Sequence, residues 1–141
     1  MKSKALMLAA LLVVPSFTSC QSTDAGTLER LNSATLSHDV FFTLKPESVE
    51  NAGRLANACM GLREIPGVTH LTAGVRDELQ TRDVNNLDFH VALHVEFEDQ
   101  AAYEGYGPHP VHQALLTNFS DMWQSVVVFD ATINMWHVTA Q

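Results

Sequence analysis

Cysteine is almost absent from this 141-residue chain: only Cys20 and Cys59 occur, so no disulfide framework can hold the fold and a hydrophobic core must hold it instead. Basic residues are also few. Eight Lys and Arg stand against 16 Asp and Glu, for a formal net charge of −8. That balance argues against a nucleic-acid partner, which wants a basic surface, and against direct adsorption to anionic lipid. Long apolar runs are missing too: Ala5 to Val14 is ten residues, well short of the roughly 20 that a spanning helix needs. No internal repeat or low-complexity tract occurs. What remains is room for one domain with a proper core.

The N-terminus places Lys2 and Lys4 ahead of that apolar run, followed by Pro15, small polar residues and Cys20. This is the order of a signal peptide, assigned to residues 1–19. Phe17-Thr18-Ser19-Cys20 resembles a bacterial lipobox, which implies lipidation at Cys20 and a membrane contact made through the acyl anchor alone. Ordinary signal-peptidase cleavage nearby, giving a soluble secreted or periplasmic protein, is the alternative. Gln21 in place of the retention aspartate favours an outer membrane, if the organism has one. Loss of residues 1–19 leaves six basic side chains against 16 acidic ones, a mature charge near −10. Residues 20–36 are polar and rich in small hydroxyl side chains, the composition of a flexible tether.

Beyond the tether, His38 to Lys45 has the β-branched and aromatic content of a strand, with His38, Val40, Phe42 and Leu44 on one face. Pro46 ends it. A helix is predicted from Glu47 to Glu64, stopped by Pro66-Gly67, and its stripe Ala52, Leu55, Ala56, Cys59, Met60 makes Cys59 a small buried hydrophobe. Val68 to Val75 reads as a second strand and Arg76 to Leu87 as a solvated loop. The clearest alternation follows: Phe89, Val91, Leu93, Val95 and Phe97 on a dry face, His90, Ala92, His94 and Glu96 on the other. Asp99 caps a short helix to Tyr106, Pro110 opens another to Phe119, and Ser125 to Ile133 is a nearly unbroken apolar strand. Residues 134–141 form a C-terminal tail.

Strand, helix, strand, strand, helix, helix, strand is the split βαβ order of an α+β, ferredoxin-like domain with a four-stranded antiparallel sheet. Helices can cover only one face of that sheet. The last strand is apolar on both faces, Val126 and Val128 on one, Val127, Phe129 and Ala131 on the other, so a second subunit is expected to cover the rest.

The stretch Gly105-Tyr106-Gly107-Pro108-His109-Pro110-Val111-His112 concentrates a phenol and two imidazoles at the joint between two helices. His112, Leu115, Leu116 and Phe119 share a side of the second helix, which turns the imidazole toward the core. Its place in the first turn disfavours imidazolium, so a neutral base or acceptor is expected. Tyr106 lies within reach across the turn. The plainer reading has Tyr106 and His112 satisfying each other as a buried polar pair; the alternative makes His112 a base and Tyr106 a donor to a substrate carbonyl. His109 is expected to cap the helix or point to solvent. His90 and His94, about 13 Å apart along a strand, cannot share a metal within one chain; they are expected at the dimer interface, pairing with Glu96 or Asp residues. His109 and His112 have no carboxylate or thiolate nearby. No metal or cofactor is called for.

His38 at the start of the first strand, Ile65-Pro66-Gly67-Val68, Phe97, Tyr106 with His109-Pro110-Val111-His112, and Val128-Phe129-Asp130 together resemble the stress-responsive A/B barrel (Dabb) family, over residues 37–133. The resemblance implies a dimeric α+β barrel whose two sheets pack face to face. It fixes function poorly. Most members have no known activity, while some plant members are polyketide cyclases. These use a tyrosine and a histidine matching Tyr106 and His112, in a cavity that also contains a first-strand histidine, here His38. A further cavity histidine of that type falls near Val91, so the set is incomplete. The cavity wall so implied is His38, Val40, Phe42, Val91, Leu93, Tyr106 and His112.

The function expected is therefore that of an envelope-tethered homodimer, possessing a cavity for a small hydrophobic or aromatic molecule. The alternative is a cofactor-free lyase or cyclase abstracting a proton next to a carbonyl. Related-barrel oxygenation, haem handling or a structural envelope role are further possibilities. Export argues against cyclisation of the activated thioesters made in the cytoplasm.

Overall fold

A computed structural model describes residues 34–133. The expected signal peptide, Cys20, most of the tether and the C-terminal tail lie outside the described residues. The strands β1 (Leu36–Leu44), β2 (Val68–Val75), β3 (Val91–Phe97) and β4 (Trp123–Thr132) form one antiparallel sheet in the order β2-β3-β1-β4. Helices α1 (Ala52–Cys59), α2 (Gln100–Tyr106) and α3 (Pro110–Phe119) complete the ferredoxin-like α+β arrangement.

The core follows from the alternation. Val40, Phe42 and Leu44 of β1 and Val91, Leu93, Val95 and Phe97 of β3 are all buried, and they meet Ala52, Leu55, Ala56 and Cys59 of α1. Cys59 is fully buried, and desolvation pushes its thiol up to about 12, so it packs as a hydrophobe. Because α1 packs mainly on β2 and β3, the inner face of β1 and β4 lies open toward α2 and α3. That opening is where the candidate site forms.

Three elements differ from expectation. The end of the expected tether belongs to the sheet: Ala34 is buried, the Thr35 N–H donates to the Phe97 carbonyl (2.8 Å), and β1 starts at Leu36. The predicted helix 47–64 is α-helical only over Ala52–Cys59, with tighter 3-10 turns at Pro46–Asn51 and Met60–Glu64. Phe89 leaves the dry face. β3 begins only at Val91, and the Phe89 ring packs edge-on against Phe41 of the outer face (centroids 5.1 Å). The His90 N–H still donates to the Phe42 carbonyl (2.8 Å) and its imidazole takes the Leu44 N–H (2.9 Å), but His90 lies outside β3, so it does not share a strand face with His94 as expected.

Gly67 turns the chain into β2 with φ of 83°, and a Cβ there would lie 2.3 Å from that of Ala102. Both the left-handed backbone and the contact oppose any side chain. Gly67→Ala is expected to cost about 2–3 kcal/mol, read as a lower midpoint in urea at an unchanged m-value.

On the outer face, Phe41, Phe89, Val127 and Phe129 form an apolar patch, with Phe129 60% exposed. Beside it, His94 Nδ1 lies 2.7 Å from Asp39 Oδ1 and its Nε2 3.1 Å from Glu96 Oε1, with the His70 ring 6.0 Å away. Only a doubly protonated ring donates to both carboxylates. Burial alone would lower the His94 pKa, but the hydrogen bonds and charges of Asp39 and Glu96 together raise it. A raised folded-state pKa means that the contribution to stability is complete below the ordinary imidazole value and is lost as pH rises through the folded value. His94→Gln is accordingly expected to destabilise more at pH 5.5 than at pH 8.5, by urea titration; an equal loss at both would show that the ring is held neutral.

Candidate functional site

The joint between α2 and α3 positions the site. Asp99 caps α2 by accepting from the Ala102 N–H (2.8 Å), Pro110 takes the first position of α3, and His109 Nδ1 accepts from the Val111 N–H (3.3 Å) as the cap of that helix. Tyr106, Gly107 and His112 are thereby held over the open half of the sheet. Between them and β1, β3 and β4 lies a cavity of about 440 Å³. His38, Val40, Phe42, Leu93, Tyr106 and His112 line it, joined by Trp123, Val126 and Val128 as further apolar wall. Val91 does not: it is fully buried in the core, and its neighbour Leu93 reaches the cavity instead.

The polar groups are not paired as the sequence suggests. The rings of Tyr106 and His112 are stacked at a tilt, 4.7 Å between centroids, yet no hydrogen bond joins them. His112 Nδ1–H donates to the Gly107 carbonyl (2.9 Å), a tautomer assigned from the acceptor that it faces. Its Nε2 keeps a lone pair. The Tyr106 hydroxyl, on a side chain only 3% exposed, has no hydrogen-bond partner among the described residues. Buried hydroxyls are normally paired. The plainer reading of the sequence, a mutually satisfied pair, is therefore corrected: a backbone carbonyl freed at the end of α2 captures the imidazole first.

Burial pulls the His112 pKa below the ordinary imidazole value, helped by the charge of His38 and opposed by the Gly107 carbonyl. Desolvation, rather than the helix terminus, is the leading cause. Burial, with a smaller contribution from Cys59, raises the Tyr106 phenol, which stays a proton donor through the physiological range.

Across the cavity, His38 and Asp130 are register partners on β1 and β4, and His38 Nδ1 lies 2.7 Å from Asp130 Oδ1. Tyr103 Oη donates to the other oxygen of the same carboxylate (3.2 Å). This fixes the His38 ring, leaving its Nε2 unanchored, with the Tyr103 and Tyr106 rings 5.7 and 5.8 Å away. Asp130 and Tyr103 are the partners that sequence reasoning misses. One signal was present: Asp130 is the sole charged residue in the apolar run Ser125 to Ile133.

The sequence profile of the stress responsive A/B barrel domain matches residues 36–133, most of the chain. The protein belongs to this family. A solved Dabb-family protein with a ferredoxin-like fold, from Mesorhizobium loti, is 30% identical, with 73% of this chain and 99% of that one covered at a TM-score of 0.54. Two more distant structures share the fold. One is a dimeric ferredoxin-like protein of unknown function from Bacteroides fragilis (19% identity, 70% and 96% covered, TM-score 0.59). The other is a hydroxynitrile lyase from Passiflora edulis (18% identity, 75% and 99% covered, TM-score 0.59). No curated protein sequence matches the chain. Dabb membership accounts for the architecture around the cavity; what the cavity holds has to be argued from its own side chains.

Proposed function

We propose that this Dabb protein is a homodimeric small-molecule binder, tethered to the cell envelope through Cys20. Its cavity receives a mainly apolar molecule bearing one oxygen acceptor. The observation that carries this reading is the Tyr106 hydroxyl, buried without a partner among the described residues in the wall of a mainly apolar cavity. Leaving such a donor unpaired costs about 1–3 kcal/mol, a cost that a carbonyl or ether oxygen of a ligand would remove. The dimer is supported by the apolar outer patch around Phe41 and Phe129 and by the dimeric state of structures sharing the fold. Native mass spectrometry of protein purified from its own host tests all three parts. It should show two subunits, an acyl mass on Cys20 and a retained small molecule; unacylated single subunits without ligand would remove the proposal.

A second reading, proton transfer next to a carbonyl, is favoured by one specific observation. His38 and His112 each have Nδ1 anchored, to a carboxylate and to a carbonyl, which leaves Nε2 as the reactive atom of both. In this scheme an Nε2 lone pair takes the proton from the carbon beside a ligand carbonyl, while Tyr106 donates a hydrogen bond to the enolate oxygen that forms. Exchange of the methyl protons of 2-acetonaphthone in D2O, followed by NMR, reports this step. The protein should accelerate exchange at least tenfold over buffer, and His112→Ala should remove the gain. Exchange at the buffer rate would leave binding as the whole function.

A further inference from the structure

We infer that the cavity is selective for an uncharged ligand and turns away the carboxylate of the same shape, with Glu104 at its mouth as a specificity-determining residue. This rests on the small-molecule reading above and names the ligand class that the cavity takes.

None of the five Lys and Arg side chains among the described residues lines the cavity. Each is engaged elsewhere: Lys45 with the Asp121 carbonyl, Arg54 with Asn51, Arg63 with Glu64, Arg76 with the Leu87 carbonyl and Glu78, and Arg82 with Asn85. The two imidazoles do not replace them. Any charge on His38 is already balanced by Asp130 at 2.7 Å, and partial burial disfavours the charged form of His112, whose Nδ1–H is already spent on the Gly107 carbonyl.

The charges near the cavity are negative. Glu104 lines it and is solvent-exposed, which places its carboxylate at the entrance, steadied by the Gln100 amide (3.0 Å). Asp130 stands behind His38 and Tyr103. An anionic ligand would lose its water, gain no counter-ion and face like charge. A carboxylate about 10 Å from another, at the effective dielectric of a protein surface, is disfavoured by a factor of about ten. An uncharged carbonyl meets none of these penalties and satisfies Tyr106.

The test is a matched pair differing in charge, 2-acetonaphthone and 2-naphthoate, titrated at pH 7.5 by isothermal calorimetry against the full-length protein. The ketone is expected to bind at least tenfold more tightly. Glu104→Lys should narrow the gap several-fold by strengthening naphthoate binding, and raising the salt concentration should narrow it in the wild type. Naphthoate binding as tightly as the ketone to the wild type would overturn the selectivity and leave the binding cavity standing. Binding of neither would overturn the cavity reading itself, and the selectivity with it.

Discussion

Tyr106→Phe is expected to make the protein more stable and a poorer binder at once. In the free protein the substitution deletes a buried hydroxyl that has no partner among the described residues, and the ring keeps its contacts with Phe97 and His112. Removal of an unsatisfied polar group should return about 1 kcal/mol, a rise of roughly 4–8 °C in Tm for a domain of this size. In the complex the same change deletes the donor to the ligand oxygen, and affinity should fall about tenfold. Opposite signs in the two measurements are what separate a functional hydroxyl from a structural one. A tyrosine bonded within its own fold would lose stability on the same substitution. Differential scanning calorimetry on the free protein and titration of 2-acetonaphthone supply the two values.

Phe129→Asp is expected to split the proposed dimer. Phe129 is 60% exposed on the edge strand β4 and touches Phe41 at 6.0 Å between centroids, so the isolated subunit loses little when the ring is removed. If a second subunit covers this patch, the substitution places a carboxylate in an apolar contact already beside Asp39, its register partner on β1. Loss of a central aromatic anchor together with burial of an unpaired charge should weaken association about 100-fold or more. Sedimentation equilibrium across micromolar concentrations reads this directly. A variant that stays dimeric would show that the partner seats elsewhere, and one that unfolds by circular dichroism would show that the patch is part of the subunit's own core.

Much of the fold could be read from the chain because period-2 patterns admit few alternatives. Val91, Leu93, Val95 and Phe97 alternate with polar residues, and a half-buried strand is the structure that buries only one of the two sets. Periodicity says nothing about where pairing stops. Phe89 continues the alternation by position, yet β3 begins only at Val91, and next to it the His90 ring, rather than a backbone carbonyl, takes the Leu44 N–H. The cavity wall was legible through the family resemblance: six of the side chains that it implies line the cavity, while Val91 sits one strand step too deep, in the packed core.

Hydrogen-bond partners were the part that residue types could not supply. Two polar rings six residues apart at a helix joint invite pairing, but the acceptor that His112 finds is the Gly107 carbonyl, and a main-chain group leaves no mark in a sequence. His38 and Asp130 are 92 positions apart and meet only through the register of β1 against β4. That register depends on which strands are neighbours, a tertiary outcome of covering the sheet.

The most direct test of the account is a crystal structure of the protein soaked with 2-acetonaphthone. The ketone should lie between β1, β4 and the α2–α3 joint, with its oxygen about 2.7 Å from Tyr106 Oη. A cavity closed by its own side chains, or a Tyr106 hydroxyl bonded to another residue of the chain with the ketone absent, would contradict it.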